Sequence, residues 1–251
     1  MSFDFSGKKV LVTGAGKGIG RAVAEKLSQC GCKVYVLSRT KSDLDSLVDD
    51  NQNITSIVAD LCEWEETKTK LEKLEVLDGL VNNAGISGHE YAAVDCPREY
   101  IYKVLDTNLM SAINCSQIVA KKMIEAKVKG SIVNVSSIGS VGAFPKGLPY
   151  HMSKAALDMV SKQFALELGP HGIRVNSVNP SLVMTPMIRE VIDKGIHVDE
   201  IITSRSSISR LLELHEIVNP ILYLLSDLST MVTGQAHVVD GGCLSNITTK
   251  A

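Results

Sequence analysis

The sequence is poor in the features that tie a protein to a membrane or to nucleic acid. No apolar run approaches the roughly 20 residues that a membrane-spanning helix needs, and the first residues, MSFDF, carry no basic residue ahead of an apolar segment. The 26 basic and 28 acidic residues leave a net charge of -2, too small for an overall field that would hold nucleic acid or anionic lipid. We therefore expect no membrane partner, no nucleic-acid partner and a cytoplasmic location.

Patterns typical of metal and disulfide sites are also missing. The six cysteines include no CxxC pair, and the six histidines include no HExxH or related spacing. Cysteines scattered in this way through a long chain are typical of a reducing compartment. The sequence therefore predicts free thiols and no metal site.

What the sequence does contain is a regular alternation of short apolar runs and amphipathic stretches. With 251 residues, of which 45% are apolar and 22% charged, it has the composition of one ordinary globular domain over residues 1–251. The amphipathic stretches predict helices that begin near Gly18, Thr40, Cys62, Arg98, Tyr150 and His215. The apolar runs, rich in β-branched residues, predict strands at Lys8–Thr13, Lys33–Leu37, Ile54–Ala59, Asp78–Asn82, Ser131–Ser136, Arg174–Asn179 and Ala236–Val239.

This alternation predicts an α/β fold, a single-domain Rossmann-type doubly wound parallel sheet of about seven strands with helices on both faces. Two segments differ from the rest. Residues 97–126 contain no glycine or proline after Pro97 and predict one long buried helix. Residues 181–212 are too long for an ordinary connection, and we interpret them as a substrate-side lid with short helices, the alternative being a surface insertion.

A glycine-rich turn follows the first predicted strand. Residues 13–20 read TGAGKGIG and lead directly into a helical pattern. Glycine permits a tight strand-to-helix turn and close approach of a pyrophosphate, whose charge is met by the free N–H groups of the helix start. The segment lacks the Gly-Lys-Ser/Thr ending of a P-loop, and its spacing is not GxGxxG. We expect a dinucleotide cofactor at Gly14, Lys17, Gly18, Ile19 and Gly20.

The end of the second predicted strand bears on which cofactor is bound. NAD-selective folds of this type carry a carboxylate there for the ribose hydroxyls, whereas this sequence has Ser38, Arg39 and Thr40. Arg39 and Lys17 can pair with a 2′-phosphate, and one charge-assisted hydrogen bond contributes about 1.5–3 kcal/mol. The sequence therefore predicts NADP(H) over NAD(H), the alternative being that Arg39 is a solvated surface charge.

Tyr150 and Lys154 are four residues apart in a helical pattern, so both side chains emerge on one face. A phenol is a poor acid near neutral pH, but a neighbouring ammonium stabilises the phenolate and lowers its pKa. Ser137 ends a predicted strand, at the edge where open α/β sheets bind ligands, and can donate a hydrogen bond to a carbonyl oxygen. A hydrolase would need Gly-x-Ser-x-Gly around Ser137, and the first glycine is missing. His151 is expected to point about 100° away from Tyr150 around the helix and to take no part.

Together with Asn82-Asn83-Ala84-Gly85 and Asn108, these motifs resemble those of the short-chain dehydrogenase/reductase family over essentially the entire chain. The resemblance implies that Tyr150 is the general acid that protonates a substrate carbonyl and that Ser137 orients and polarises it, so both would contact the substrate. It implies that Lys154 lowers the pKa of Tyr150 and holds the nicotinamide ribose. It implies that Asn108 supports a bound water in the proton relay.

The same resemblance implies further cofactor contacts. Asp60 and Leu61 would lie against the adenine, and Val183 and Thr185 would touch the carboxamide and phosphates. One departure concerns Pro180, which is followed by Ser181 where family members usually have glycine, so the backbone there has less freedom. The resemblance also implies a homo-oligomer, commonly a tetramer. The remaining residues implied to line the cofactor are Asn83, Ala84, Gly85, Tyr150 and Lys154.

Residues 37–40, 43–47 and 183–187 (LSRT, DLDSL and VMTPM) resemble a subgroup of the family that reduces small ketoses and α-dicarbonyl compounds with NADPH. A small-molecule carbonyl substrate is therefore expected. The loop between Ile138 and Pro149 carries Phe144 and Lys146 but few polar groups suited to a sugar. Two alternatives stay open: a 3-oxoacyl or secondary-alcohol oxidoreductase of the same family, and a cofactor-binding regulatory protein without catalysis.

Overall fold

The computed structural model describes residues 3–88, 90–193 and 198–246. The strands are β1 Lys9–Thr13, β2 Lys33–Ser38, β3 Ile54–Val58, β4 Gly79–Asn82, β5 Ser131–Val135, β6 Arg174–Pro180 and β7 Ala236–Val239. Each predicted strand is confirmed, with ends that differ by about one residue. They form one seven-stranded sheet in which every neighbouring pair is parallel, in the order β3-β2-β1-β4-β5-β6-β7.

Helices cover both faces of the sheet, as expected for strands that are apolar along their whole length. Along β1, Val10 and Val12 belong to one buried cluster and Leu11 to the other. The helices are α1 Gly18–Gln29, α2 Lys41–Asp49, α3 Trp64–Glu72, α4 Arg98–Leu105, α5 Ser111–Glu125, α6 Leu148–Leu168, α7 Pro186–Asp193, α8 Val198–Arg205 and α9 Leu214–Leu225. The first cluster includes residues of α1, α2 and α9, and the second includes residues of α3, α5 and α6.

The strand order reverses at β1, which pairs with β2 on one side and with β4 on the other. At such a switch point the connections leave in opposite directions, and the carboxyl ends of the strands enclose a crevice where α/β proteins bind ligands. The ends of β1 and β4 are joined here, because the Asn83 N–H donates to the hydroxyl of Thr13 at 3.0 Å. The fold therefore places the glycine-rich turn beside residues 83–85.

The long helix predicted for residues 97–126 is present, since the chain is helical without a break from residue 98 to residue 125. The sequence did not predict its irregular middle, where Asp106–Met110 form a π-helical turn between α4 and α5. Such a turn accommodates one extra residue and often lies at a functional site. This turn holds Asn108, which is buried.

Residues 181–212 leave the sheet after β6 and return before α9. Val183 and Leu212 form a parallel bridge, with the Met184 N–H donating to the Leu212 carbonyl at 2.9 Å. The two ends of the segment are thus held together, while α7 and α8 lie between them. Among the described residues no helix combines the length and the apolar character needed to cross a membrane, and no cluster of metal-ligating side chains occurs.

Candidate active site

Ser137 and Tyr150 meet at the carboxyl edge of the sheet. Ser137 follows β5 directly, and Tyr150 lies in the first turn of α6, which has a proline among its first residues. The Ser137 hydroxyl is close enough to the Tyr150 phenol to lower its pKa. The Ser137 Oγ also accepts a hydrogen bond of 3.0 Å from the Gly139 N–H. The two hydroxyls that the sequence separates by a loop are therefore adjacent.

Lys154 is buried one turn further along α6. Its Nζ donates to the Val135 carbonyl at 2.8 Å and lies 5.8 Å from the centre of the Tyr150 ring. Burial disfavours the charged ammonium and lowers the pKa of Lys154 to about 8, while the Asp158 carboxylate opposes this by raising it. The Lys154 amine therefore gains or loses its proton close to physiological pH.

Burial also acts on the Tyr150 phenol. It raises the pKa of Tyr150, because the phenolate loses its hydration, and the hydrogen bond with Ser137 lowers the pKa by a smaller amount. The net direction differs from the one expected from Lys154 alone. Tyr150 is thus held in its protonated form, which suits a proton donor.

Asn108 uses its side-chain amide to hold the loop that follows β4. Its Oδ1 accepts from the Ile86 N–H at 2.8 Å, and its Nδ2 donates to the Ile86 carbonyl at 2.9 Å. The Nδ2 also donates to the Ser153 hydroxyl at 3.1 Å, which in turn donates to the Tyr150 carbonyl at 2.7 Å. The π-turn thereby links residues 85–86 to the helix that carries Tyr150.

The glycine-rich turn packs tightly against the end of β4. A Cβ on Gly14, where φ is +62°, would lie 2.7 Å from the Ala84 Cα, and one on Gly20 would lie 2.4 Å from the Asn83 Nδ2. The Asn83 amide in turn donates to the Thr13 and Gly14 carbonyls, both at 3.0 Å. Only glycine fits at these two positions, so the turn exposes backbone rather than side chains.

The start of α1 fits a pyrophosphate. Lys17, the residue before the helix, makes no capping hydrogen bond with its side chain. The first backbone N–H groups of α1, those of Gly18 and Ile19, can therefore donate to a ligand. A Cβ on Gly18 would lie 3.4 Å from the Thr185 methyl group, which places Thr185 beside this helix start. Val183 is buried next to it in the bridge to Leu212. The structure thus brings predicted phosphate contacts from two distant parts of the sequence, Gly18 and Thr185, next to each other.

The backbone after β6 does not need the glycine that Ser181 replaces. The described non-glycine residues with positive φ are Lys127 and Lys146, so Ser181 adopts an ordinary conformation. Its N–H donates to the Val239 carbonyl at 3.1 Å, which extends the pairing of β6 with β7. The departure from the family pattern therefore causes no backbone strain at Ser181.

Beyond β2, the predicted cofactor-selecting residues lie near two carboxylates. Arg39 Nη1 is 4.0 Å from Asp60 Oδ2, and Lys17 Nζ is 3.3 Å from Asp43 Oδ2. Asp43 was missed by the sequence reasoning, although it stands in the first turn of α2 and a Cβ on Gly16 would lie 3.0 Å from its Cβ. The remaining predicted residues of this region are the half-buried Ser38, the exposed Thr40, and the buried Leu61.

Asn179 and Asp158 are two further residues that the sequence reasoning missed. The Asn179 Nδ2 donates to Asp158 Oδ2 at 2.7 Å, to Ser140 Oγ at 2.9 Å and to the Ser137 carbonyl at 3.2 Å. Asn179 is fully buried at the end of β6, so this amide ties β6, α6 and the residues after β5 together. The sequence signal for this residue was the presence of polar residues in RVNSVNP, a strand predicted to be buried, because buried polar groups need hydrogen-bond partners.

A parallel sheet with a glycine-lined switch point beside a serine, a tyrosine and a buried lysine defines a Rossmann-type oxidoreductase site. Residues 14–244 match the family described as enoyl-(acyl carrier protein) reductase. The chain is 43% identical over 241 residues to D-erythrulose reductase of Gallus gallus, which covers 96% of this chain and 97% of that protein. It is 42% identical over 245 residues to L-xylulose reductase of Mus musculus, which covers 98% and 100%.

Carbonyl reductase (NADPH) 2 of Sus scrofa is 41% identical over 246 residues, covering 98% of this chain and 100% of that protein. A solved short-chain type dehydrogenase/reductase from Mycobacterium marinum superposes with a TM-score of 0.89 at 30% identity, covering 96% of this chain and 97% of that chain. The chain therefore belongs to the short-chain dehydrogenase/reductase family of oxidoreductases, which use a nicotinamide cofactor.

The charge of Lys154 predicts a pH dependence. The ammonium is present below its pKa of about 8 and is lost as the pH rises through it, so the rate of reduction at saturating cofactor should fall above about pH 8. In Asp158→Asn the carboxylate that raises this pKa is gone, and the fall should begin at lower pH. The measurement is initial rate against pH from 6 to 10 for both proteins. Superimposable profiles would contradict the link between Asp158 and Lys154.

Proposed function

We propose that the protein is an NADPH-dependent reductase that converts a small ketose or α-dicarbonyl compound to the alcohol, as in the reduction of L-xylulose to xylitol. The observation that carries this proposal is the meeting of Ser137, Tyr150 and the buried Lys154 at one edge of the sheet, beside the glycine-lined turn. The names of the relatives from Gallus gallus, Mus musculus and Sus scrofa support a carbonyl substrate.

In this mechanism Ser137 and Tyr150 act on the carbonyl oxygen. A nicotinamide cofactor, when bound in the crevice, would supply a hydride to the carbonyl carbon. The Ser137 Oγ accepts a hydrogen bond from the Gly139 N–H, which orients the hydroxyl so that, with a substrate bound, its own hydrogen donates to the substrate oxygen. The Tyr150 hydroxyl donates its proton to the same oxygen as negative charge develops there. The Lys154 ammonium then stabilises the phenolate that remains.

The cofactor would be held along the crevice by the residues already described. The backbone of the glycine-rich turn and the start of α1 would take the pyrophosphate, and Thr185 and Val183 would close over it. Asn83, Ala84 and Gly85 would form the floor, since a Cβ on Gly85 would lie 3.2 Å from Asn108 Oδ1 and 3.7 Å from Lys154 Nζ. Lys154 is thus close enough to this floor to hold a ribose hydroxyl there.

NADPH is proposed over NADH although Arg39 and Lys17 each face a carboxylate. Both cations are largely exposed, at 64% and 69%, and exposed ion pairs contribute only about 0–1 kcal/mol. Charge-assisted hydrogen bonds to a doubly charged 2′-phosphate contribute about 1.5–3 kcal/mol each. The phosphate should therefore displace Asp60 and Asp43 from these two side chains.

An apolar cluster beside Ser137 favours the less polar substrates of the proposed class. Ile138, Ile202 and Cys243 are buried in it, and Phe144, Leu182 and Leu211 pack against it. It joins the loop after β5 to the 181–212 segment, which we propose as the substrate-side lid. These side chains suit an α-dicarbonyl or an acyl chain better than a polyol. A 3-oxoacyl reductase is therefore the second candidate function.

We also propose a homotetramer. Met152, Met159 and Leu166 lie at seven-residue intervals along α6, so they share one face, and they are 45%, 60% and 73% exposed. Val238 of the edge strand β7 and the nearby Met231 are 45% and 93% exposed. Two separate apolar surfaces of this kind suit contacts with two further copies of the chain.

The reaction is tested with purified protein, NADPH, and L-xylulose, diacetyl or an acyl thioester as substrate. The proposal predicts turnover of the first or second substrate, and turnover of the thioester alone would replace it with the second candidate.

The acid role of Tyr150 is tested by Tyr150→Phe. This variant lacks the donated proton, and its kcat should fall by at least about 100-fold, the lower range for general acid catalysis. NADPH affinity, measured by fluorescence titration, should stay nearly unchanged. A Phe variant that kept its activity would remove Tyr150 from the acid role.

Cofactor selectivity is tested by Arg39→Ala. Loss of the charge-assisted bonds should raise the Kd for NADPH about 10- to 100-fold and leave the Kd for NADH unchanged. The matched control is Lys41→Ala, which removes an exposed cation that pairs with Asp45 in α2 and should leave both Kd values unchanged. Equal affinity of the wild-type protein for NADPH and NADH would contradict the proposed selectivity.

A further inference from the structure

His151 bonds both arms of the loop that separates Ser137 from α6. Its Nδ1 lies 2.8 Å from the Gly139 carbonyl oxygen, and its Nε2 lies 3.0 Å from the Phe144 nitrogen. The Nε2 also lies 3.3 Å from the Phe144 carbonyl oxygen. The two shorter contacts decide the tautomer: the Phe144 N–H can only donate and the Gly139 carbonyl can only accept, so Nε2 accepts and Nδ1 carries the hydrogen that is donated to Gly139. Both nitrogens of a neutral imidazole are thus engaged. The expectation that His151 points away from Tyr150 was wrong, because the two rings lie 5.8 Å apart between centres in an edge-to-face arrangement.

Gly139 connects His151 to Ser137. Its carbonyl accepts from His151, and its N–H donates to the Ser137 Oγ at 3.0 Å. A Cβ on Gly139 would lie 2.8 Å from His151 Nδ1 and 3.2 Å from Tyr150 Cε1. The absence of a side chain at this position therefore lets the histidine, the serine loop and the tyrosine ring approach one another. A continuous set of hydrogen bonds runs from His151 through Gly139 to the hydroxyl of Ser137, beside Tyr150.

The far arm of the loop is held by the same imidazole. The Phe144 and His151 rings are 5.7 Å apart between centres, and Phe144 also packs against the apolar cluster beside Ser137. The loop's own backbone bonds are local, as from Gly142 N to Ile138 O at 2.9 Å and from Gly147 N to Phe144 O at 3.3 Å. His151 instead connects residues 139 and 144 to each other and to α6.

We propose that His151 is a positioning residue of the reaction: its bond to Gly139 fixes the Ser137 hydroxyl against Tyr150, and its bond to Phe144 fixes the apolar substrate-side wall. This inference rests on the proposed carbonyl reduction. The two ring nitrogens then have separate effects. Loss of the Nδ1 bond should lower kcat, because it displaces Ser137, and loss of the Nε2 bond should raise the KM for the carbonyl substrate, because it displaces Phe144.

Three variants separate these two effects. In His151→Asn the amide nitrogen can take the place of Nδ1 and keep the bond to Gly139, so kcat should stay within about threefold while KM rises about tenfold. In His151→Gln the amide oxygen can take the place of Nε2 and keep the bond to Phe144, so kcat should fall about tenfold with KM little changed. His151→Leu should show both defects. The Kd for NADPH should be unchanged in all three.

The matched control is His171→Leu, which changes an exposed histidine at the far end of α6 and should leave both constants unchanged. Thermal unfolding of each variant separates positioning from stability. Equal losses of kcat in the Asn, Gln and Leu variants, or losses that follow the fall in Tm, would assign His151 a structural role only and overturn the proposal. Unchanged kinetics in all three would overturn it as well.

A second measurement does not depend on activity. Amide hydrogen exchange of residues 139–147 should be faster in His151→Leu than in the wild-type protein, because both loop arms lose their bond to α6. Unchanged exchange there would overturn the inference even if the enzyme is active. A wild-type protein that reduces none of the carbonyl compounds, with exchange that still responds to His151→Leu, would instead remove the proposed function and leave the loop role in place.

Discussion

The hydrogen bond from the Lys154 ammonium to the Val135 carbonyl, 2.8 Å long, joins α6 to the end of β5 inside the protein. A buried cation is costly unless polar groups surround it. This one is oriented by that carbonyl and by the charge of Asp158 one turn away. Because Lys154 cannot leave this position without losing its partner, the bond favours one position of α6 along the sheet. That position sets where Tyr150 lies relative to Ser137.

The fold and the general place of the site could be predicted from the sequence because both depend on local patterns. Strands that are apolar along their length, such as β1 and β5, are typical of a sheet buried on both faces, and the structure confirms them. The glycines at 14 and 20 could be recognised because the constraint on them is steric and lies within a few residues of a strand end. Spacing along one helix was enough to pair Tyr150 with Lys154.

Features that depend on contacts between distant segments could not be predicted in this way. Nothing local distinguishes Asp43 from other surface carboxylates, and its place beside Lys17 follows from how α2 packs. Asn179 bonds Asp158 and Ser137 across three elements, so no single motif contains it. The direction of the Tyr150 pKa was also out of reach, since it is decided by burial rather than by the nearest charge.

The π-turn at Asp106–Met110 has a consequence for how this chain tolerates changes in length. One surplus residue is stored there, so the faces of α4 and α5 are out of phase by about 100° relative to a regular helix. Deletion of a single residue in this stretch would produce a regular α-helix. It would also rotate Asn108 away from the Ile86 backbone and break both of its hydrogen bonds there, so the site constrains the length of this helix as well as its composition.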